Sequence, residues 1–385
     1  MGNVDSRIVT NSDELQEILL LAQQLKTAVH LYRQGNGGIQ LDFSEWKEIE
    51  QFDADNLMII APPGLKLQDL NAAIAAQGLR FIPADSPAFA QLSVGEWAYR
   101  GCPNLAAWKY GAGKHFLLGA SYVLPNGEMA SVGGKCIKNV SGYDFTRFLT
   151  GAYADLAVGV QYVIKLMPQP ACRIAYHVEL ASLSDAIKLV GMLHNHPVPP
   201  VWLFWMDQVT GEKLTGGAQA GHRIMFELDG NEAEVREYAE TVERIFIDCN
   251  VKIVEGQTAP PDLSGLEKEL NEFWLLDEFK IPYLQVGHFA AEADRLLVKA
   301  GCRGGLFGQL ADGKIHLYAA KEEKALTELV HSLQNVARNL GGTASGKYQR
   351  LYQSGLAGKL MDLEKAFKRR YDPAGILNRS EEVSQ

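Results

Sequence analysis

Residues 133–168 read GGKCIKNVSGYDFTRFLTGAYADLAVGVQYVIKLMP, and no simple turn or core argument explains Lys138-Asn139-Val140-Ser141-Gly142-Tyr143-Asp144 with Thr146 and Arg147 so close behind. The second half of the stretch changes character. Leu156–Met167 is long and mainly apolar, which predicts a buried strand, and Pro168 and Pro170 then punctuate the chain. A first domain boundary is expected there. Immediately upstream, Phe116–Val132 predicts a hairpin, because Asn126-Gly127 supplies the positive φ angles of a tight turn.

Working outward to the N-terminus, Asn11 or Ser12 is placed to cap a helix reaching about Lys26, with Leu15, Ile18, Leu19 and Leu21 on its apolar face. Ala28–Tyr32 reads as a strand that runs into Arg33-Gln34-Gly35-Asn36-Gly37-Gly38. Clustered glycines let backbone N–H groups converge on an anion, although no helix follows directly, so the loop is not a dinucleotide GxGxxG. Leu57–Ala61 is a buried strand, Leu67–Gln77 a helix stopped by Gly78, and Leu79–Ile82 strand again. A second glycine-bearing segment follows at Ser93-Val94-Gly95-Glu96-Trp97, with Gly101, Tyr110 and Gly111.

Beyond Pro170 the order is strand (Ala175–Leu180), helix (Ser182–His194), strand (Val201–Met206), strand (Arg223–Leu228), helix (Glu232–Phe246) and strand (Val251–Val254), a split βαβ or ferredoxin-like unit. A weaker echo follows: strand at Tyr283–Val286, helix at Ala290–Ala300, a hairpin turning at Asp312-Gly313, and helix at Glu322–Leu340. Trp202, Phe204 and Trp205 are expected in the core of this part. Lys365, Lys368, Arg369 and Arg370 read as the solvated face of a last helix.

At 385 residues the chain exceeds one ordinary core, and 47% hydrophobic against 22% charged residues is a globular balance. A net charge of -9 offers no positive field for nucleic acid. No apolar run reaches bilayer length and the first residues lack the order of a signal peptide, so a cytoplasmic address is expected, with membrane association only through partners. Cys102, Cys136, Cys172, Cys249 and Cys302 stand singly, so neither a disulfide framework nor an iron–sulfur ligand set can be drawn. No metal site is expected; His194 and His196 read as loop residues and His316 as a strand-edge residue.

The stretch from Asp53 to Pro170 resembles the FAD-binding domain of the vanillyl-alcohol-oxidase/p-cresol-methylhydroxylase (PCMH) superfamily. KNVSGYD resembles the KNVAGYDLxR signature of the auxiliary flavin subunit of glycolate oxidase, and the tail FKRRYDPAGILNRS resembles that family's closing LDPxGxFNPG. The resemblance implies an α+β protein with a PCMH-type FAD-binding domain at 1–172, a ferredoxin-like α+β cap at 173–340, and a segment at 341–385 returning to the FAD domain. It makes Arg33, Gln34, Gly35, Asn36, Gly37 and Gly38 the pyrophosphate loop, and Ser93, Val94, Gly95 and Gly101 the second phosphate- and flavin-lining segment. Gly142 and Tyr143 become a wall of the flavin site. Ala157, Val158 and Val160 present backbone to the adenine end, and Asn378 approaches from the tail. No attachment residue stands out, so the FAD is expected to be noncovalent.

The chain departs from the family at Glu96, where a second glycine is usual, and in the run Ala154–Val160, where glycines are shifted. The related catalytic subunits carry GDGNxH and GGTxSGEHG elements. Here the counterparts are Gln309–His316 and Gly341-Gly342-Thr343-Ala344-Ser345-Gly346-Lys347-Tyr348, the latter without histidine. Lys347 and Tyr348 are the catalytic candidates, yet each needs a large downward pKa shift to act as a base near neutrality. Lys109 and Arg100 are further polar residues to test. The expected function is the FAD-binding subunit of a 2-hydroxy-acid (glycolate or lactate) dehydrogenase complex, passing electrons from or alongside a catalytic flavin subunit to an iron–sulfur subunit. Two alternatives stand beside it: a self-sufficient FAD-dependent 2-hydroxy-acid dehydrogenase, and a structural subunit that has lost FAD.

Overall fold

The computed structural model describes residues 4–32, 37–134, 145–151, 155–215, 221–249, 251–254, 273–320, 323–345, 363 and 365–378. The chain divides into two compact units, one of Met1–Asn104, Ala112–Gln169 and Gln353–Gln385, the other of Leu105–Gly111 and Pro170–Tyr352.

In the first unit, β1 (Val4–Ile8) leads to α1 (Ser12–Leu25), which begins where the Asn11 side chain accepts from the Glu14 N–H at 2.9 Å. Leu15, Leu19 and Ala22 are its buried stripe. With β2 (Val29–His30) and β3 (Gly38–Asp42) the strands form a parallel sheet in the order β1-β3-β2. A second, antiparallel sheet has β4 (Gln51–Asp53) and β5 (Met58–Ala61) beside β9 (Val158–Lys165), then β7 (Leu117–Val123) and β8 (Met129–Gly133), in the order β4-β5-β9-β7-β8. The β7–β8 hairpin turns at Gly127, φ +82°, as Asn126-Gly127 predicts. Val123, Val158 and Val160 share one core with the leucines of α1 and with Ile376 and Leu377 of the tail. The unit also holds α2 (Leu67–Ala75), β6 (Leu79–Arg80) paired with β10 (Met167–Pro168), and α3 (Val94–Tyr99).

The tail enters this unit as a bridge parallel to β2. The Val29 N–H donates to the Ile376 carbonyl and the Asn378 N–H to the Val29 carbonyl, both at 2.8 Å. Asp372, buried, accepts from the Ile376 and Leu377 N–H groups at 2.8 and 3.2 Å and from the Gln23 side chain at 2.8 Å.

The second unit is a single eight-stranded sheet built from two βαββαβ repeats. The first is β11 (Cys172–Leu180), α4 (Leu183–His194), β12 (Trp202–Met206), β13 (His222–Gly230), α5 (Glu232–Asp248) and β14 (Lys252–Ile253). The second is β15 (Phe273–Lys280), α6 (Val286–Lys299), β16 (Gly304–Gln309), β17 (Lys314–Ala320), α7 (Glu323–Asn339) and β18 (Thr343–Ser345). The sheet order β14-β11-β13-β12-β16-β17-β15-β18 is the ferredoxin-like order followed by its mirror, joined where β12 pairs with β16. Leu203, Trp205, Ile224, Phe226, Leu306, Ile315 and Leu317 pack in one core with residues of the four helices. Strand alternation puts Trp202, Phe204, Met206, Phe307, His316 and Tyr318 on the opposite face.

The echo expected in the sequence is thus a full repeat, with its first strand elsewhere. Tyr283–Gln285 is a 3-10 turn rather than a strand, since Pro282 has no N–H for a ladder, and the strand is Phe273–Lys280. A helix over Gln208–Thr215, not anticipated, separates β12 from β13. Two segments also sit outside the expected spans: Leu105–Gly111 lies with the second unit, and β18 pairs with β15 beyond residue 340.

Asp372→Ala leaves three donors without their acceptor, two of them buried backbone N–H groups. It should cost about 2 to 4 kcal/mol, read as a lower denaturant midpoint in urea unfolding of the purified protein.

Candidate functional site

The tail fixes the backbone that leads into the glycine loop. Asn378, buried and at φ +41°, accepts from the Leu31 N–H on its side-chain oxygen at 3.0 Å. The next residue, Tyr32, is held at φ +54°, an uncommon conformation for a bulky side chain. On the far side of the loop the chain re-enters β3 at Gly38, where a Cβ would lie 2.3 Å from the Ala28 carbonyl oxygen, so only glycine fits. Arg33, Gln34, Gly35 and Asn36 lie outside the described residues, as do Gly142, Tyr143, Lys347 and Tyr348.

Between these elements and the second sheet is a small cavity of about 20 Å³, partly open to solvent. Tyr32, Gly95, Tyr99, Tyr122, Thr150 and Ala157 are among its lining residues. Ser93 caps α3 by accepting from the Glu96 N–H at 3.1 Å, which brings Gly95 to the cavity wall. A Cβ on Gly95 would stand 2.0 Å from the Tyr32 hydroxyl and 3.0 Å from the Pro63 carbonyl oxygen. Gly101 crosses Gly151 so closely that a Cβ on Gly151 would be 2.8 Å from the Gly101 Cα. These glycines let the protein's own segments pack closely beside the cavity.

Of the residues expected at the site, Gly95 and Ala157 line the cavity, while Val158 and Val160 bury their side chains in the core and offer only backbone. Glu96 does not stand as a bare charge: its carboxylate accepts from the Arg100 guanidinium at 2.7 and 3.1 Å, one turn along α3. Tyr32, Tyr99, Tyr122, Thr150 and Gly151 carry no sequence signal of their own, because a tyrosine beside a cavity and one in a core look alike in a single sequence. The one available signal was that Thr150-Gly151 directly precedes the altered glycine run.

In the second unit, His316 is half-buried on β17, stacked on Phe307 with ring centroids 5.0 Å apart, and 3.8 Å from the Glu278 carboxylate. Burial lowers its pKa, only partly countered by Glu278, so the ring is neutral near pH 7. Lys109 donates to the Asp229 carboxylate at 2.7 Å and also to the Asp229 backbone carbonyl, and the Tyr110 hydroxyl donates to the same carboxylate at 2.8 Å. Lys109 is therefore engaged as a tether within the second unit. His194 is stacked between Trp108 and Tyr283, and His196 lies on Tyr238. Among the described residues no group of three His, Cys, Asp or Glu side chains is placed to hold a metal ion. No helix there is long and apolar enough to cross a membrane.

Residues 7–133 match the family described as FAD binding domain, and residues 169–381 the family described as FAD linked oxidases, C-terminal domain. The glycolate oxidase subunit GlcD of Bacillus subtilis is 24% identical, covering 96% of this chain and 86% of that protein. A D-lactate dehydrogenase of Archaeoglobus fulgidus is 28% identical over 96% of this chain and 89% of its own length. The glycolate oxidase subunit GlcE of Escherichia coli is 28% identical over 47% of this chain and 51% of that protein. Among solved structures, p-cresol methylhydroxylase with substrate bound superposes with a TM-score of 0.70 at 16% identity, covering 96% of this chain and 87% of that one, a likeness of fold.

Gly95→Ala should weaken binding of FAD to the apoprotein about tenfold, because the added methyl overpacks the wall between Tyr32 and Pro63. Flavin fluorescence titration measures it; an unchanged dissociation constant places the cofactor elsewhere.

Proposed function

We propose, from the premise that the chain belongs to the FAD-linked oxidase family, that it is the FAD-holding subunit of a 2-hydroxy-acid dehydrogenase complex acting on glycolate or lactate. It is an FAD-linked oxidoreductase, and the residues around the first unit's small cavity are the candidates for lining the cofactor's site. Gly95 and Ala157 line that cavity, and the glycines at 95, 101 and 151 let the unit's own segments pack closely around it. Bound FAD supplies an electron-pair acceptor. The chain's residues would hold and orient it: Asn378 and Asp372 fix the strand before the glycine loop, Ser93 caps α3, and Leu31, Leu149 and Ala157 give the cavity an apolar wall.

The observation that carries the subunit reading is the state of His316. By the resemblance it stands in the element where related catalytic subunits carry a histidine for substrate and metal, but here it is half-buried, stacked on Phe307 and 3.8 Å from the Glu278 carboxylate. A ring held by that stack and that carboxylate has little freedom to turn towards a substrate, which supports the subunit reading. Likeness to two different glycolate oxidase subunits supports membership of such a complex. In this reading a second flavin subunit oxidises the hydroxy acid, and a cysteine-rich iron–sulfur subunit takes the electrons onward. The whole-length likeness to a D-lactate dehydrogenase favours, as a second reading, a chain that oxidises its substrate unaided.

Dye reduction by the purified, FAD-loaded chain separates the two. Glycolate and D-lactate should each give no turnover above a no-enzyme blank until the catalytic subunit is added. Steady turnover by the chain alone would establish the second reading instead.

A further inference from the structure

The tail helix over 365–371 sorts its side chains by face. Phe367 and Tyr371, one turn apart, have ring centroids 4.6 Å from each other, and Phe367 packs edge-on to Phe148 at 5.7 Å. On the rest of the helix Lys365, Arg369 and Arg370 are exposed and Lys368 is half-buried, with no acid between Lys365 and Arg370. Elsewhere the chain pairs exposed helix cations with carboxylates one turn away, as in Arg100–Glu96, Arg236–Glu232 and Arg295–Glu292. Among the described residues none of the four tail cations is in an ion pair. Asp372, the next acid along, is occupied by the Ile376 and Leu377 N–H groups and the Gln23 side chain. Cations in a last turn suit the helix dipole, but Lys365 precedes that turn, and like charges three and four positions apart repel one another.

We propose that this cationic face docks an acidic surface on another subunit of the hydroxy-acid dehydrogenase complex, an inference that rests on the subunit reading above. The chain as a whole carries a charge of -9, so a bilayer or a nucleic acid, negative over its full extent, is repelled by the rest of the surface. A compact acidic patch on a protein meets the four cations alone, within the roughly 8 Å over which exposed charges act at physiological salt. Docking also falls two residues before Asp372, whose grip on the tail fixes the strand leading to the glycine loop.

The test uses the full chain, tagged and expressed in its native cells, beside the glutamine set K365Q/K368Q/R369Q/R370Q and the glutamate set K365E/K368E/R369E/R370E. Glycolate- and D-lactate-driven dye reduction recovered with the tag is measured per mole of chain. Wild type should recover it in an amount that falls with added salt, the glutamine set about tenfold less, and the glutamate set none. Flavin content and thermal unfolding temperature should be the same for all three; if the glutamate set misfolds, the glutamine set carries the comparison. Equal recovery by wild type and the glutamine set overturns the proposal, as does recovery indifferent to salt. Sedimentation of wild type with phosphatidylglycerol vesicles, abolished in the glutamine set while recovery persists, overturns it too and assigns the face to a membrane. If wild type recovers no hydroxy-acid oxidation at all, the subunit reading fails and the docking face with it, a result distinct from equal recovery.

Discussion

The first unit depends on the grip of the chain's tail on the strand before the glycine loop. Val29 and Leu31 each give a backbone N–H to the segment Ile376–Asn378, and Asp372 holds that segment in place through two of its own N–H groups. Buried backbone donors must be satisfied, so the tail and the strand are determined together. Because Tyr32 follows Leu31 directly, the same grip sets where its ring enters the cavity and where the loop departs. Residues some 350 positions apart thus define one wall, which accounts for the core shared by Ile376, Leu377 and α1.

The second unit is determined by duplication. Two βαββαβ repeats meet through their second strands, so the edges that would pair there are consumed and one face is covered by four long helices. The other face carries aromatic and titratable side chains, with His316 and Glu278 in the second repeat. Lys109 shows how far the arrangement departs from an open polar site: its charge is matched by a fully buried Asp229 carboxylate, and removing either partner would strand the other.

Much of this was legible in the sequence. Asn126-Gly127 fixed a hairpin, Asn11 a helix start, and the 3.6 and 2 periodicities of residues 175–254 a ferredoxin-like repeat. The second repeat was only half visible, because Phe273–Lys280 carries Asp277 and Glu278 within an apolar run and Pro282 shifted the apparent strand downstream. At the site, Gly95 stood out only through the resemblance, as part of the segment from Ser93 to Gly101 expected to line phosphate and flavin. Tyr32, Tyr99 and Tyr122 did not, since nothing in a single sequence separates a tyrosine lining a cavity from one in a core. Nor did the Glu96–Arg100 pair, whose i,i+4 spacing is unremarked until the helix is known to be there.

The central claim is that the first unit holds FAD without a covalent bond. The visible spectrum of the protein as purified, followed by acid precipitation, tests it most directly. The account predicts flavin absorption bands stoichiometric with the chain and a colourless pellet with free FAD in the supernatant. A protein that is colourless and cannot be reconstituted with FAD, or a pellet that stays yellow, would contradict it.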